Sequence, residues 1–196
     1  ARAFVPCPSG GKNFIGVYIM KKLWKPLAIL LVAALAASLS LFAACDNEEP
    51  GEALSGTMTF VMDDKNGTIE TVEANLDGFT SNDTAIDVID KLAEDGVVCY
   101  TSSKGVPGIM LTGIGIVEDG TDYQGNPAKV DNYIVQQDNA AGVYLYIYTN
   151  VDADKNDYEG MTTVEYEGET LAESLNGIDK MTIEDGAVIY ITTIVW

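Results

Sequence analysis

The chain has no histidine, three cysteines, and eleven basic against thirty acidic residues among 196. The missing imidazole excludes Ser/His and Cys/His nucleophile pairs and any histidine-ligated metal centre. Carboxylate pairs and Ser/Lys dyads are the familiar catalytic options left. Ser102-Ser103-Lys104 is the one local dyad candidate. It reads as a solvated loop, since a dyad needs pairing in space and adjacency in sequence does not supply it. The chain is therefore expected not to be an enzyme.

Positive charge is scarce and unevenly placed. Arg2, Lys12, Lys21, Lys22 and Lys25 precede Cys45, where no acidic residue occurs; from Cys45 onward six lysines face all thirty acids. A surface of that sign repels nucleic acid and anionic lipid, so no nucleic-acid partner is expected. Charge alone would also suit a disordered chain, but 47% hydrophobic residues and regular Val/Ile/Tyr runs supply a core.

The change of character falls within LSLFAACDNEEPGE, residues 39–52. Met20-Lys-Lys-Leu-Trp-Lys forms a positive n-region, Pro26 to Leu41 an apolar stretch, and Phe42-Ala-Ala-Cys45 a small-residue cleavage site. This resembles a bacterial lipoprotein signal peptide, residues 20–44, ending in a lipobox, with Phe42 where that pattern more often has Leu. The resemblance implies that the Cys45 thiol takes a diacylglycerol and that cleavage precedes it. A membrane partner reached through a lipid anchor follows, on the outer face of the bacterial cytoplasmic membrane. The alternative is an uncleaved membrane helix, as Leu27 to Ala44 is close to the roughly 18 residues needed to span. Residues 1–19 precede Met20 and are expected to be an upstream, non-native extension.

With Cys7 upstream and Cys45 lipidated, Cys99 has no partner for a disulfide. Within VVCY, residues 97–100, it reads as a small buried hydrophobe. Residues 45–55 are acidic, contain Pro and Gly, lack apolar periodicity, and read as a solvated tether. One domain over 56–196 fits the usual size range.

In that domain TMTFVMDDKNGTIETVEANL reads as a hairpin turning at Asn66-Gly67. Ser81-Asn82-Asp83 offers helix caps, and Ala85, Val88, Ile89, Leu92 and Ala93 recur at helical spacing until Gly96. VVCYTSS, GIMLTGIGIVEDG, VYLYIYT, TTVEYEG and AVIYITTIVW read as strands, with a short second helical stretch over Thr170 to Leu175. The order predicts an α+β fold, a sheet with one main packed helix.

The hairpin, the TAIDVIDKLAEDGV helix, GIMLTGI, VYLYIYTN, VEYEGETL and MTIEDGAVIYI together resemble a bacterial family of domains of unknown function related to the carboxy-terminal domain of transcobalamin. The resemblance covers most of residues 56–196. It implies a β-grasp-like extracellular domain, often found in lipoproteins or larger surface proteins, and a corrinoid as a candidate cofactor of an accessory lipoprotein.

Two stretches carry candidate sites. In NVDADKNDYEG, residues 150–160, Asp152, Asp154 and Asn156 alternate as oxygen ligands do at the start of a calcium loop. Asp157 stands where such a loop has Gly, and Thr163 where it has Glu, so a polar connecting loop is the competing reading. In VYLYIYT, Tyr144, Tyr146 and Tyr148 alternate with Val143, Leu145 and Ile147, giving one aromatic and one aliphatic face. The aliphatic face is expected on the helix-packed core. The tyrosines either bind a small molecule or surface partner, or lie under the 118–142 connection. The expected function is that of a lipid-anchored, non-catalytic binding module. A structural or adhesive component docking by strand addition along ITTIVW is the alternative.

Cys45→Ser is expected to abolish lipidation. Fractionation and intact mass check it: wild type stays with membranes and carries a lipid-sized increment, and the variant loses both. Two acyl chains anchor stably where one is marginal, so the change should be near complete.

Overall fold

The computed structural model describes residues 50–105 and 108–196. The signal peptide and Cys45 lie outside the described residues, as do residues 46–49 of the tether. No helix among the described residues is long and apolar enough to cross a membrane.

The expected hairpin forms from β1 (Thr57–Asp63) and β2 (Ile69–Asn75). The Asp64 carboxylate accepts the backbone N–H groups of Asn66 and Thr68 at 2.7 and 2.9 Å, while Gly67 takes φ +113°, a value glycine adopts without a Cβ penalty. Helix α1 (Ala85–Glu94) follows. Its N-cap is Thr84, one residue later than Ser81-Asn82-Asp83 suggests: the Thr84 N–H and hydroxyl both donate to Asp87 at 2.8 Å. Asp83 is occupied instead with Thr80, accepting its N–H and hydroxyl. Gly96, at φ +71°, ends the helix.

The remaining strands are β3 (Val98–Lys104), β4 (Ile109–Thr121), β5 (Pro127–Gln136), β6 (Val143–Thr149), β7 (Thr163–Tyr166), β8 (Glu169–Glu173) and β9 (Val188–Val195). The six-stranded sheet has the order β2-β1-β9-β6-β8-β7 and the three-stranded sheet β3-β4-β5. Among the described residues only the β1–β9 pairing is parallel. Among the described residues the result is a sheet-dominated α+β fold with one short helix.

Three sequence readings are corrected. In the Thr170 to Leu175 stretch Thr170 to Glu173 are strand, because Glu167 (φ +49°) and Gly168 (φ +86°) make a tight turn that folds β8 back on β7 and buries Leu171. The 118–142 connection is largely strand as well, the end of β4 and all of β5. ITTIVW is an edge only in part: Ile191 and Thr192 pair with both β1 and β6, and Thr193 to Val195 pair with β6 alone. The compact unit described here runs from Pro50 to Trp196 and takes in residues 50–55 of the expected tether. Ala53 bridges Thr80, and the Leu54 N–H donates to the Phe79 carbonyl at 2.9 Å.

The six-stranded sheet has two unlike faces. Met58, Phe60 and Met62 of β1, Val72 and Ala74 of β2, Ile189 and Ile191 of β9, and Leu145 and Ile147 of β6 share one of them. There they pack with Ala85, Val88 and Ile89 of the helix and with Val98, Leu111, Ile114 and Val135 of the smaller sheet. Gly115 marks a bulge in that smaller sheet, where a Cβ would lie 1.9 Å from the Asn132 carbonyl oxygen. Cys99 is buried here, its thiol 3.6 Å from the Ile116 carbonyl, and burial pushes its pKa up, so it is a packing residue.

Candidate functional site

The second face carries Val61, Tyr190, Tyr146, Tyr148, Leu171, Val164 and Tyr166. In a flat sheet β2 and β7, five strand spacings apart, would be separated by about 24 Å. Yet the hydroxyls of Thr71 on β2 and Tyr166 on β7 lie 3.4 Å apart. The sheet therefore curls on itself, and the β7–β8 hairpin folds over the tyrosines. Ring centroids step from Tyr146 to Tyr148 at 6.2 Å and from Tyr148 to Tyr190 at 6.4 Å, while Tyr166 meets Tyr190 edge-on at 5.9 Å.

What covers the tyrosines is thus the sheet itself. The 118–142 segment does not, because Ile134 and Val135 of β5 pack into the core on the opposite side. The three predicted tyrosines share the face but differ in burial: Tyr148 is buried at 6% exposure, Tyr146 is half-buried, and Tyr144 is exposed at 38%.

A polar cluster sits within the curl. Asp63, on the same face as Tyr190, accepts the Tyr190 hydroxyl, the Lys65 N–H at 2.7 Å and the Lys65 ammonium at 3.1 Å. Burial works to raise the Asp63 pKa, but the hydrogen bonds from Tyr190 and Lys65, with the Lys65 charge, outweigh it and hold the carboxyl below its usual value. The Tyr190 hydroxyl is pushed well above its usual value, first by burial and then by Asp63. All partners are satisfied, so this cluster locks β1 to β9.

The face stays open at one margin. β6 is paired with β9 along its whole length but with β8 only at Tyr148 and Thr149. Beyond that short pairing lies a cleft of about 290 Å³, lined by Tyr146, Tyr148, Met161, Thr162, Glu173 and Trp196, with Ile194 and Gly160. The β6–β8 register puts Glu173 opposite Tyr148, on the tyrosine side. Thr162 donates to Glu173 Oε2 at 3.3 Å, and because its one hydroxyl proton is used there, the Tyr148 hydroxyl donates to Thr162 Oγ1 at 3.0 Å. Tyr148, Thr162 and Glu173 form a hydrogen-bond relay that fixes the carboxylate in the cleft. The Tyr146 hydroxyl is raised in pKa, first by burial and then by the Glu173 charge.

A second cavity, of about 250 Å³, shares Tyr146 and Glu173 but is otherwise lined mainly by aliphatic residues such as Ile109, Leu111, Leu145, Ile147 and Ile178. Aromatic rings and a carboxylate together make the first cleft the better candidate for selective binding.

The predicted calcium ligands are not brought together. Asp154 is buried, and both its oxygens are occupied, by the Asn176 amide at 2.7 Å and the Thr182 N–H at 2.7 Å. Asp152 is exposed and paired with Lys155 at 2.7 Å, which holds its carboxyl below the usual value. Asn156 accepts the Tyr158 N–H. Among the described residues no three His, Cys, Asp or Glu side chains group as a metal site. Asp154 instead ties its loop to the segment before β9. Ser102-Ser103-Lys104 lies at the exposed end of β3 and not in a turn.

Sequence reading did not pick out Glu173, Thr162 or Met161, and took Ile194 and Trp196 only as part of the ITTIVW strand. Alternation in ETLAE places Leu171 and Glu173 on one face, a signal available only once that stretch is recognised as a strand. No family model matches the chain, and no match is found among characterised proteins.

Tyr190→Phe removes a donor from a buried carboxylate and is expected to cost about 1–3 kcal/mol at neutral pH. Because the folded-state pKa of Asp63 lies below 3.8, its contribution is present above that value and is lost as pH falls through the folded pKa. Because that of Tyr190 lies above 10.0, its contribution is present below pH 10 and is lost as pH rises through the folded value. Denaturant melts across pH should show wild type losing stability at both ends, and the variant starting lower with a shallower acid limb.

Proposed function

We propose that this is a lipid-anchored extracytoplasmic binding module, non-catalytic, whose β-grasp-like domain captures a small molecule or surface partner in the cleft beside Tyr146. The observation that carries the reading is the cleft: half-buried Tyr146, exposed Trp196 and a relay-held Glu173 at a margin of the aromatic face that the curled sheet leaves open. The β-grasp-like description rests on the helix after the first hairpin and on the parallel pairing of the domain's first and last strands at the sheet centre. Its placement at the membrane rests on the lipobox-like Phe42-Ala-Ala-Cys45.

Corrinoid binding remains attached to the family resemblance alone. A cleft of about 290 Å³ lies at the small end of ligand sites, suited to a side-chain-sized group more than to a whole macrocycle. Strand addition along ITTIVW keeps Thr193 to Val195 as its edge, since β9 pairs with β1 over Val188 to Thr192 and with β6 over Ile189 to Val195.

The test is a thermal-shift panel of small organic molecules against wild type and Tyr146→Ala. At least one chemical class should raise the wild-type Tm and fail to raise that of the variant, as ligands that bind only the folded state stabilise it. Tyr146→Ala itself should cost less than about 2 kcal/mol, whereas Tyr148→Ala should cost about 3–5 kcal/mol as a buried aromatic. A panel in which every stabilising ligand acts equally on wild type and Tyr146→Ala would overturn the site.

A further inference from the structure

The geometry points to a specific ligand chemistry for this cleft: an organic cation, an ammonium or guanidinium head on an apolar stem, with the head on Glu173 and the stem against Tyr146 and Trp196. This inference rests on the cleft being the binding site.

Three observations carry it. Among the described residues Glu173 is the only charged side chain lining the cleft, and no lysine or arginine lines it. An anionic ligand would thus meet a carboxylate with no counter-charge, while a cation gains a direct partner. One carboxylate oxygen, Oε2, is held by Thr162, whose own hydroxyl is oriented by Tyr148. The charge is therefore placed before the ligand arrives, and Oε1 has no hydrogen-bond partner among the described residues. The remaining lining is aromatic or apolar: Tyr146, Trp196, Met161 and Ile194. Aromatic faces attract cations through their quadrupole and cover an alkyl or aryl stem. The thirty acidic residues against six lysines after Cys45 add a field that draws cations in and repels anions.

A sugar fits less well. Sugar recognition uses several planar or paired hydrogen-bonding groups, and here the Thr162 and Tyr148 hydroxyls are already spent on one another and on Glu173.

The same head and stem occur in free amines and in basic side chains of peptides, so both sources enter the test. The full chain in non-ionic detergent is titrated calorimetrically with 2-phenylethylammonium, with its neutral near-isostere 2-phenylethanol, and with Nα-acetyl-lysine amide. At least one cationic probe should bind about tenfold or more tighter than the alcohol at low salt, with the advantage shrinking as salt is added. The tighter of the two cationic probes identifies the source. Glu173→Gln keeps an acceptor for Thr162 and should lower the affinity for that cation about tenfold while leaving the Tm and the affinity for the alcohol unchanged.

Equal binding of cation and alcohol, with both lost in Tyr146→Ala, would overturn the cationic inference and leave the cleft standing as the site. Binding of no probe would overturn the inference alone, since the wider panel judges the cleft. Should Glu173→Gln lower the Tm, the salt dependence in wild type decides: a cation affinity indifferent to salt would overturn the proposal.

Discussion

The parallel pairing of β1 with β9 is the constraint on which the rest depends. It joins the first and last strands of the domain, and its register sets Phe60 beside Ile189 and Val61 beside Tyr190. Because side chains alternate along a strand, that one register sends Met58, Phe60, Met62, Ile189 and Ile191 to one side and Val61, Asp63, Tyr190 and Thr192 to the other. A slip by one residue would put Asp63 under the helix and Phe60 among the tyrosines. The Tyr190 hydroxyl on Asp63, and the Thr192 hydroxyl on the Asp63 carbonyl at 2.8 Å, hold the register from the aromatic side. Both bonds are buried, so breaking them without replacement is costly.

Curling converts the second face from a surface into a partial core. Six strands with a right-handed twist bring β7 across to β2, and the row of tyrosines fills the space with edge-on rings in place of aliphatic chains. The short pairing between β6 and β8 is what interrupts the closure. There the aromatic row emerges into solvent, Tyr148 beneath and Tyr146 at the mouth, and the carboxylate of Glu173 is carried in on β8. The same row thus provides stability at one end and a binding wall at the other. The relay through Thr162 couples the two, because the buried Tyr148 hydroxyl sets the geometry of the cleft acid.

Elements with strong local periodicity were legible in the sequence. The first hairpin follows from alternation around Asn66-Gly67, the helix from its three-to-four spacing, and the two faces of β6 from its aromatic and aliphatic alternation. β5 was not, because Lys129, Val130, Asp131 and Asn132 are all exposed and leave no apolar rhythm to read. β8 was hidden because Leu171 and Ala172 suit a helix as well as a strand, and the deciding signal is the tight turn at Glu167-Gly168. The aspartates of the 150–157 loop show how a ligand-like spacing arises for packing reasons: Asp154 turns inward to satisfy Asn176 and Thr182 while Asp152 turns out to Lys155. The cleft was half legible. Tyr146 lay on the predicted face, but Glu173, Thr162 and Trp196 reach it only through strand pairings with no local sequence mark.

The curl is the claim on which both the buried tyrosines and the open cleft rest, and proton NMR of the full chain in detergent tests it most directly. Nuclear Overhauser contacts should connect the Tyr166 ring with the Thr71 methyl and with the Tyr190 ring, since the Tyr166 and Thr71 oxygens lie 3.4 Å apart and the two rings have centroids 5.9 Å apart. A spectrum with the β7–β8 pairing intact, but with neither contact and with Tyr166 behaving as a solvated ring, would contradict the account.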